Sequence, residues 1–469
     1  MTNKNGNTKA MLGPKEIRKR LEEGKGFPEL NPNVAGIDIG SREHFVSVPG
    51  DRDSQPVRRF GCYTADHLQL VGWLKACRIT TVVMESTGVY WMPLCAVLEE
   101  HGFEVFLVDA RHVRNVSGRK SDVQDCQWIR RLFSYGLLSA AFRPKPEITP
   151  IRALWRLRGS LVQDCARQIQ LMQKALELMN VHLHKVVTDI SGLTGFRIIR
   201  AIVSGSRDPQ TLAQMRDPGC KLSEAEFVLA LNGNFRSEHV FCLRQAVDTY
   251  DFFQDQIQKC DQALQAYLSE LPTKPVGQDQ DLLPKKKSPR RRKNQPYFDL
   301  RSEQIRVSGV DLTRIDGIDM LTAQTILSEI GLDLDRFPTE DNFSSWLGLA
   351  PNNRITGGVV RSSRSRKVAH RVATALRLSA QALHHSRSAL AAFYRRLASR
   401  MEKAKAITAT ARKLACHVYR MLKHGQAYVD QGEAAYLAAF EQQRLRRLQR
   451  QARRFGFELV NLQSGEVVS

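Results

Sequence analysis

Four acidic residues in the first third of the chain stand where two strands and a helix could bring them together. Asp38 lies near the end of the apolar segment VAGIDIGS, and Glu85 directly follows the apolar run TTVVM. Asp122 and Asp125 lie in KSDVQD, where a helix is predicted to begin, and their i, i+3 spacing puts both side chains on one helix face. Because strand ends of one sheet lie side by side, we expect the four carboxylates to converge.

Such a cluster predicts metal-dependent phosphoryl transfer. Four carboxylates would repel one another strongly unless cations neutralised them. Ligands that are all oxygen suit Mg²⁺ or Mn²⁺ rather than zinc. Two such ions held about 4 Å apart clamp the attacking and leaving oxygens of a phosphoryl group. Taken singly, each acid has a simpler interpretation, since a carboxylate after a strand often caps a loop and Asp122 could cap its helix.

The segments around these acids predict an α/β domain over residues 31–148, after a flexible segment at residues 1–30. Three strands in a meander, followed by alternating helices and strands, favour a mixed sheet with helices on its faces. The predicted strands are Val34–Ile39, His44–Val48, Val57–Cys62, Thr80–Met84 and Glu104–Val108, and the predicted helices are Ala65–Cys77, Tyr90–His101 and Val123–Tyr135.

Residues 149–271 change to the pattern of long amphipathic helices, which are predicted over Ile151–Val187 and Phe241–Leu271. Such helices pair with each other as in a coiled coil, pair with a second protomer, or belong to a plain helical bundle. A proline-containing linker at 272–306 carries the run KKKSPRRRK, which either contacts phosphates or is only solvated. A mostly α-helical domain at 307–430 and a basic helical tail at 431–469 follow.

The charge of the chain points to a polyanionic partner. Its 469 residues carry a formal net charge of +22, which favours nucleic acid over a membrane surface. No run of 18 apolar residues exists, so we expect no membrane-spanning helix, and the start of the sequence lacks the apolar segment of a signal peptide. The nine cysteines are odd in number and form no CxxC pair, which favours a reducing cytoplasm.

These motifs, taken in order, resemble a known family. Asp38 in GIDIG, Glu85 in ESTGVYW, and Asp122 with Asp125 in KSDVQD are similar to the DEDD transposases of one bacterial insertion-sequence family, and the resemblance spans about residues 34–425. It implies an RNase H-like N-terminal domain, similar to Holliday-junction resolvases, and a recombinase guided by a bridge RNA, a noncoding RNA encoded in the element. It also implies that the partners are the DNA of the element ends and of the target, and that the protein acts at the bacterial nucleoid. The expected assembly is a homo-oligomer, either a dimer or a tetramer, in which residues of different protomers form one active site.

Two motifs of the C-terminal domain point to DNA. A helix-hairpin-helix is predicted at 312–331, in the segment LTRIDGIDMLTAQTILSEIG, with its bend at Gly317. Such an element binds DNA phosphates through backbone N–H groups. The alternative is a helix pair with a purely structural role. Further on, Gly357 and Gly358 permit close approach of a ligand. The cations behind them predict a phosphate-binding surface, with a solvated helix face as the alternative; they are Arg361, Arg364, Arg366, Lys367 and Arg371.

In the family that this chain resembles, a serine directly before the glycine pair is the nucleophile and forms a 5′-phosphoserine link with DNA. Thr356 occupies that position here. Three outcomes are open. In the first, Thr356 is the nucleophile, which we favour because an activated threonine can be nucleophilic. In the second, one of the nearby serines is the nucleophile instead. In the third, strand transfer is weakened or lost. The serines are Ser362, Ser363 and Ser365.

The leading hypothesis is therefore an RNA-guided DNA recombinase with a Mg²⁺-dependent site and a hydroxyl nucleophile. One alternative is a metal-dependent junction endonuclease that cuts through attack by water and needs only the four acids. The other is a catalytically inactive remnant that binds nucleic acid.

Overall fold

A computed structural model describes residues 29–85, 88–108, 122–138, 140–275, 293–366, 368 and 370–460. The chain divides into two compact units, Met1–Arg143 and Pro144–Ser469. The predicted flexible segment at 1–30 lies outside the described ranges except for its last two residues.

The N-terminal unit is built on a five-stranded mixed sheet. Its strands run in the order β3–β2–β1–β4–β5. β2 is antiparallel to both β1 and β3, whereas β4 is parallel to both β1 and β5. This mixed sheet confirms the predicted fold class. The strands are β1 (Val34–Ile39), β2 (Glu43–Ser47), β3 (Val57–Gly61), β4 (Thr81–Glu85) and β5 (Glu104–Val108).

Helices pack on both faces of this sheet because side chains alternate along each strand. Ala35 and Ile37 of β1 join one core cluster with residues of α1 and α2. Val34 of β1 joins a second cluster with Ile129 and Phe133 of α3. One face of β1 is therefore covered by α1 and α2, and the other face by α3. The helices are α1 (Thr64–Ala76), α2 (Trp91–Glu100) and α3 (Asp122–Ser134).

Two long helices pair with each other in the C-terminal unit, which answers one question left open by the sequence. Along α4 from Leu154 to Cys165, the contacting residues on α9 run backward from Cys260 to Gln254, so the two helices are antiparallel. Short helices fill the connection between them. The helices are α4 (Ile148–Leu178), α5 (Leu183–Val186), α6 (Leu193–Val203), α7 (Pro209–Gln214), α8 (Glu224–Leu231) and α9 (Ser237–Glu270).

The first of these helices is shorter than predicted. It ends at Leu178 rather than continuing to Val187, because Asn180 adopts the left-handed conformation with φ of +57°. The buried ion pair of Arg158 with Asp261, at 2.5 Å, joins α4 to α9. Removing one partner of such a pair would leave an uncompensated buried charge.

The remaining chain is mostly helical, as predicted. Part of the predicted linker at 272–306 is helix α10, because its residues Leu300 and Val307 are buried in a core cluster with Ile148 and Leu264. Within the described ranges, no helix is both long enough and apolar enough to span a membrane. The elements are α10 (Leu300–Ser308), α11 (Met320–Ile330), α12 (Glu340–Trp346), β6 (Arg354–Thr356), β7 (Val359–Ser362), α13 (Arg371–Ala382), α14 (Ala389–Ala398), α15 (Lys403–His424) and α16 (Gly432–Arg454), with 3₁₀ turns at Leu312–Arg314 and Leu383–His385.

Candidate functional site

Asp38 and Glu85 lie at the carboxyl ends of two neighbouring parallel strands. The last residue pair between β1 and β4 is Ile37 with Met84. Asp38 directly follows Ile37, and Glu85 directly follows Met84. Ile37 and Met84 belong to the core under α1 and α2. Because side chains alternate along a strand, the two acids lie on the opposite face, where α3 packs. Parallel neighbours lie about 4.8 Å apart, so the carboxylates share one edge and one face of the sheet.

Helix α3 crosses this face at close range because residue 36 is a glycine. A Cβ on Gly36 would collide with the carbonyl oxygen of Cys126. The end of α3 lies beside the start of β1, where the amide of Leu30 donates to the carbonyl of Ser134 at 2.8 Å. The helix therefore runs antiparallel to β1, and its first turn, which includes Asp125, lies toward the carboxyl end of the strand.

The buried thiol of Cys126 lies near two of the acids. Its pKa is raised to about 12, first by burial and next by the negative charge of Asp38, and the charge of Asp125 acts in the same direction. Both carboxylates are therefore close to this one side chain, between β1 and α3. A thiol with this pKa stays protonated at neutral pH.

The sheet and α3 thus bring Asp38, Glu85 and Asp125 toward one end of the domain. Asp122 is the first residue of α3, but its side chain lies outside the described ones. Among the side chains that are described, no group of three or more histidine, cysteine, aspartate or glutamate residues lies close enough to hold a metal ion. The donor set is all oxygen, which fits Mg²⁺ or Mn²⁺ and not zinc. The four-ligand metal site stays a prediction.

Thr356 lies at the tip of an exposed β-hairpin. β6 ends at Thr356 and β7 begins at Val359, and these two residues pair across the turn. Gly357 and Gly358 form the turn with φ of +57° and +75°, which is typical of a type I′ hairpin. Nothing lies within 4 Å of a Cβ built on either glycine, so the exposed threonine stands beside open space.

The predicted phosphate-binding cations differ in what they contact. Arg361 and Arg364 are exposed and form no ion pair with any residue that the structure describes. Arg366 and Arg371 also take part in the fold, since Arg366 donates to a backbone carbonyl at 2.5 Å and Arg371 lies 3.8 Å from a buried glutamate. Lys367 lies outside the described residues.

A groove of about 1200 Å³ opens beside the hairpin, between the segment that follows β7 and helix α15. Three serines line it together with Arg364, and these are the alternative nucleophiles Ser362, Ser363 and Ser365. Thr356 is not among its lining residues. The two candidate hydroxyl sites therefore face different surroundings, one on an open tip and the other in a basic groove.

Helix α15 supplies groove cations that no sequence motif singled out. Arg412 pairs with Asp341 at 2.7 Å and Arg420 with Glu340 at 2.6 Å, whereas Lys413 forms no ion pair within the described part of the chain. Spacing was the signal that could have found them, because positions 405, 412, 413 and 420 fall on one face of a helix and all carry Lys or Arg.

The predicted helix-hairpin-helix differs from expectation in its first helix, which is a single 3₁₀ turn at Leu312–Arg314. Gly317 bends the chain with φ of +85°, as predicted. A Cβ on Gly317 would lie 2.9 Å from the carbonyl oxygen of Ser379 on α13, so the bend packs closely against another element of the same unit. Asp319 caps α11 by accepting from the amide of Thr322 at 2.8 Å. These contacts favour the structural helix pair over a phosphate grip.

Comparison with known proteins connects both halves of the chain to one family. Residues 35–181 match a family model of the IS110 DEDD type, described as Transposase, and they include all four acids. Residues 311–395 match a second model, described as Transposase IS116/IS110/IS902 family, and they include Thr356 and the cations behind it. No curated protein matches the chain. The DEDD domain and the C-terminal domain of these enzymes thus occur here in one chain, which is an IS110-type transposase.

Proposed function

We propose that the chain cuts and rejoins DNA through a metal-dependent site at Asp38, Glu85, Asp122 and Asp125, with the hydroxyl of Thr356 as a separate nucleophile. The observation that carries this proposal is the juxtaposition of Asp38 and Glu85, which follow the last paired residues of β1 and β4 on the face that α3 covers. Acids that only capped loops would not be expected to lie at the same edge and on the same face of the sheet.

The four acids would hold Mg²⁺ or Mn²⁺. When bound, such an ion polarises a phosphoryl group and stabilises the charge that develops on its oxygens. The chain itself supplies the placement. β1 and β4 hold two carboxylates in register, and Gly36 lets α3 approach closely enough to add the pair at its start.

Thr356 would attack a phosphorus atom of one DNA strand. The threonine oxygen forms a bond to phosphorus, the bond between phosphorus and the 3′ oxygen breaks, and the proton lost by the hydroxyl is balanced by the proton gained at that 3′ oxygen. The products are a 5′-phosphothreonine link and a free 3′ hydroxyl, and attack by another 3′ hydroxyl rejoins DNA. The exposed position of Thr356 supports this role, because nothing on the glycine side of the tip obstructs a strand.

We further propose that a bridge RNA selects the element ends and target, as the sequence resemblance implies, and that the chain acts as a dimer or tetramer. The surface that we propose for self-association is the exposed side of the α4–α9 pair, where Leu157, Leu171 and Phe252 are 52%, 44% and 57% exposed. In such an assembly the acids of one protomer would meet Thr356 of another.

Trapping of a covalent protein–DNA adduct tests this function. The full chain is incubated with Mg²⁺, RNA transcribed from the DNA flanking its gene, and labelled DNA carrying the element ends, and is then denatured. We expect a labelled protein band that is absent for Asp38→Asn. Mg²⁺-dependent cleavage of a branched DNA without an adduct would favour the junction endonuclease. Binding without either product would favour the inactive remnant.

A further inference from the structure

A second basic cleft lies between α14 and the tail helix α16. Its volume is about 470 Å³, and it is lined by Arg396 and Arg400 on one side and by Phe440, Arg444 and Arg447 on the other. No acidic residue lines it. All five residues lie outside the segment 311–395 that matches the C-terminal transposase model.

The four arginines of this cleft form no ion pair with any residue in the described ranges. Their neighbour Arg395 behaves differently, since it pairs with Glu433 of α16 at 2.6 Å and donates to two backbone carbonyls. Arg395 thus holds α14 and α16 together. Four like charges in one cleft repel one another, so an anion that neutralises them would bind favourably.

Arg396 is held in place but keeps unused hydrogen-bonding capacity. Its guanidinium lies 4.1 Å from the ring centroid of Phe440 and within 6 Å of the rings of Phe393 and Tyr436. Its Nε is buried and has no hydrogen-bond partner in the part of the chain that the structure describes. A guanidinium held in place by aromatic rings, in a cleft lined by further arginines, favours a ligand rich in acceptor oxygens, such as a phosphate.

The arrangement of α16 also favours a binding role over a structural one. The helix has no buried residue. The residues that line the cleft, at positions 440, 443, 444, 447 and 448, recur at i, i+3, i+4, i+7 and i+8, which places them on one helix face. Arg446 and Arg453 lie off this face and do not line the cleft. The same helix therefore offers arginines that differ only in their position.

We infer that the cleft binds the phosphodiester backbone of a nucleic acid, at a site lined by none of the hairpin cations at 361–371. The inference rests on the proposed function only in taking nucleic acid as the polyanion that this transposase handles. Arginine is suited to the task, because its planar group binds phosphate oxygens in pairs and stacks on aromatic rings at the same time.

The experiment compares two double variants of the full chain that each remove two charges from α16. Arg444→Ala with Arg447→Ala removes both arginines that α16 contributes to the cleft, and Arg446→Ala with Arg453→Ala is the matched control. Affinity for a fluorescent 30-base-pair DNA duplex and for a 30-nucleotide RNA hairpin is measured by anisotropy over a series of KCl concentrations. Thermal unfolding checks that both variants are folded.

We expect the cleft variant to bind at least one of the two probes about tenfold more weakly than the control, with a salt slope lower by about two units. Loss for the duplex alone identifies DNA as the ligand, and loss for the hairpin alone identifies RNA. Equal affinities of the two double variants for both probes would overturn the inference. Adduct formation by the wild-type chain is measured in parallel, so that failure of the cleft and failure of the proposed recombination are distinguished.

Discussion

The carbonyl oxygen of Cys126 on α3 occupies the space where a Cβ on Gly36 of β1 would lie. This contact sets the distance between α3 and the sheet. It also determines how close the start of α3, with Asp122 and Asp125, comes to Asp38 at the end of β1. Gly36 is therefore a positioning residue, since it contributes no chemical group and yet lets the first part of α3 lie close to the strand that carries Asp38.

Replacement of Gly36 by alanine should displace α3 and separate the acids. Overpacking of this kind destabilises a protein by about 1–3 kcal/mol, and we expect loss of recombination under conditions where the chain is still folded. Gly50→Ala is the control, because no atom lies within 4 Å of a Cβ at that position and it should change neither property. Urea unfolding and a recombination assay check both variants. A Gly36→Ala protein with wild-type stability and activity would contradict the positioning role.

Acid should destabilise the N-terminal unit through a buried histidine pair. The Nε2 atoms of His44 and His67 lie 3.3 Å apart. Burial and the neighbouring His67 lower the pKa of His44 to about 4, whereas the ordinary value is 6.5. Between these values the unfolded chain binds a proton that the folded chain does not, so the free energy of unfolding falls as pH falls from about 6.5 to about 4.

The slope of this fall is at most about 1.4 kcal/mol per pH unit for each such histidine. His44→Gln should flatten it, whereas His385→Gln, at an exposed position, should not. Urea unfolding at pH 7, 6 and 5 measures the difference. Parallel pH profiles for the wild type and His44→Gln would show that this pair does not govern acid stability.

Binding of DNA should weaken with salt in a way that depends on Arg361 and Arg364. Each alanine variant should reduce the slope of log affinity against log salt by about one unit, and Lys367→Ala should do the same. Arg200→Ala is the control, because Arg200 is also exposed but pairs with Asp251 at 2.7 Å. Slopes that match the wild type at all three positions would show that these cations only face solvent.

Substitutions at Thr356 separate the candidate nucleophiles. Thr356→Ser retains the hydroxyl and relieves crowding at Cβ, so we expect equal or higher adduct formation. Thr356→Val keeps the shape and removes the hydroxyl, so it should abolish the adduct while DNA and RNA binding stay intact. Peptide mapping locates any phospho-link. An adduct on Ser362, Ser363 or Ser365 in the valine variant would assign the role to the groove beside the hairpin.

Local pattern was enough to predict the sheet and the placement of two acids. The strands carrying Asp38 and Glu85 are continuous apolar segments, and parallel strands of one sheet end at the same edge. The close approach of α3 was not predictable, because a glycine in a strand does not indicate which helix it faces. The two-glycine turn after Thr356 carried a hairpin signal, since Gly-Gly flanked by apolar residues favours a type I′ turn.

Features that depend on tertiary contacts escaped prediction. The apolar spacing of α4 continues past Leu178, yet the helix ends there because Asn180 turns the chain into the core that the end of α4 shares with α6 and α8. Helix α10 was not predicted, because the sequence near residue 300 has the composition of a linker. Its few apolar residues are buried only through packing against α4 and α9. The arginine cleft forms between helices that are distant in sequence, so its residues share no motif.

Recombination by single acid variants tests the proposed function most directly. A donor plasmid carrying the DNA that flanks the gene and a target plasmid are incubated with the full chain, RNA transcribed from that flanking DNA, and Mg²⁺. We expect Asp38→Asn, Glu85→Gln, Asp122→Asn and Asp125→Asn each to abolish joined product without lowering the melting temperature, because removal of mutual repulsion does not weaken the fold. Asp248→Asn, at an exposed position on α9, should recombine like the wild type. A folded variant of any of the four acids that recombines at the wild-type rate would show that the reaction does not depend on this site.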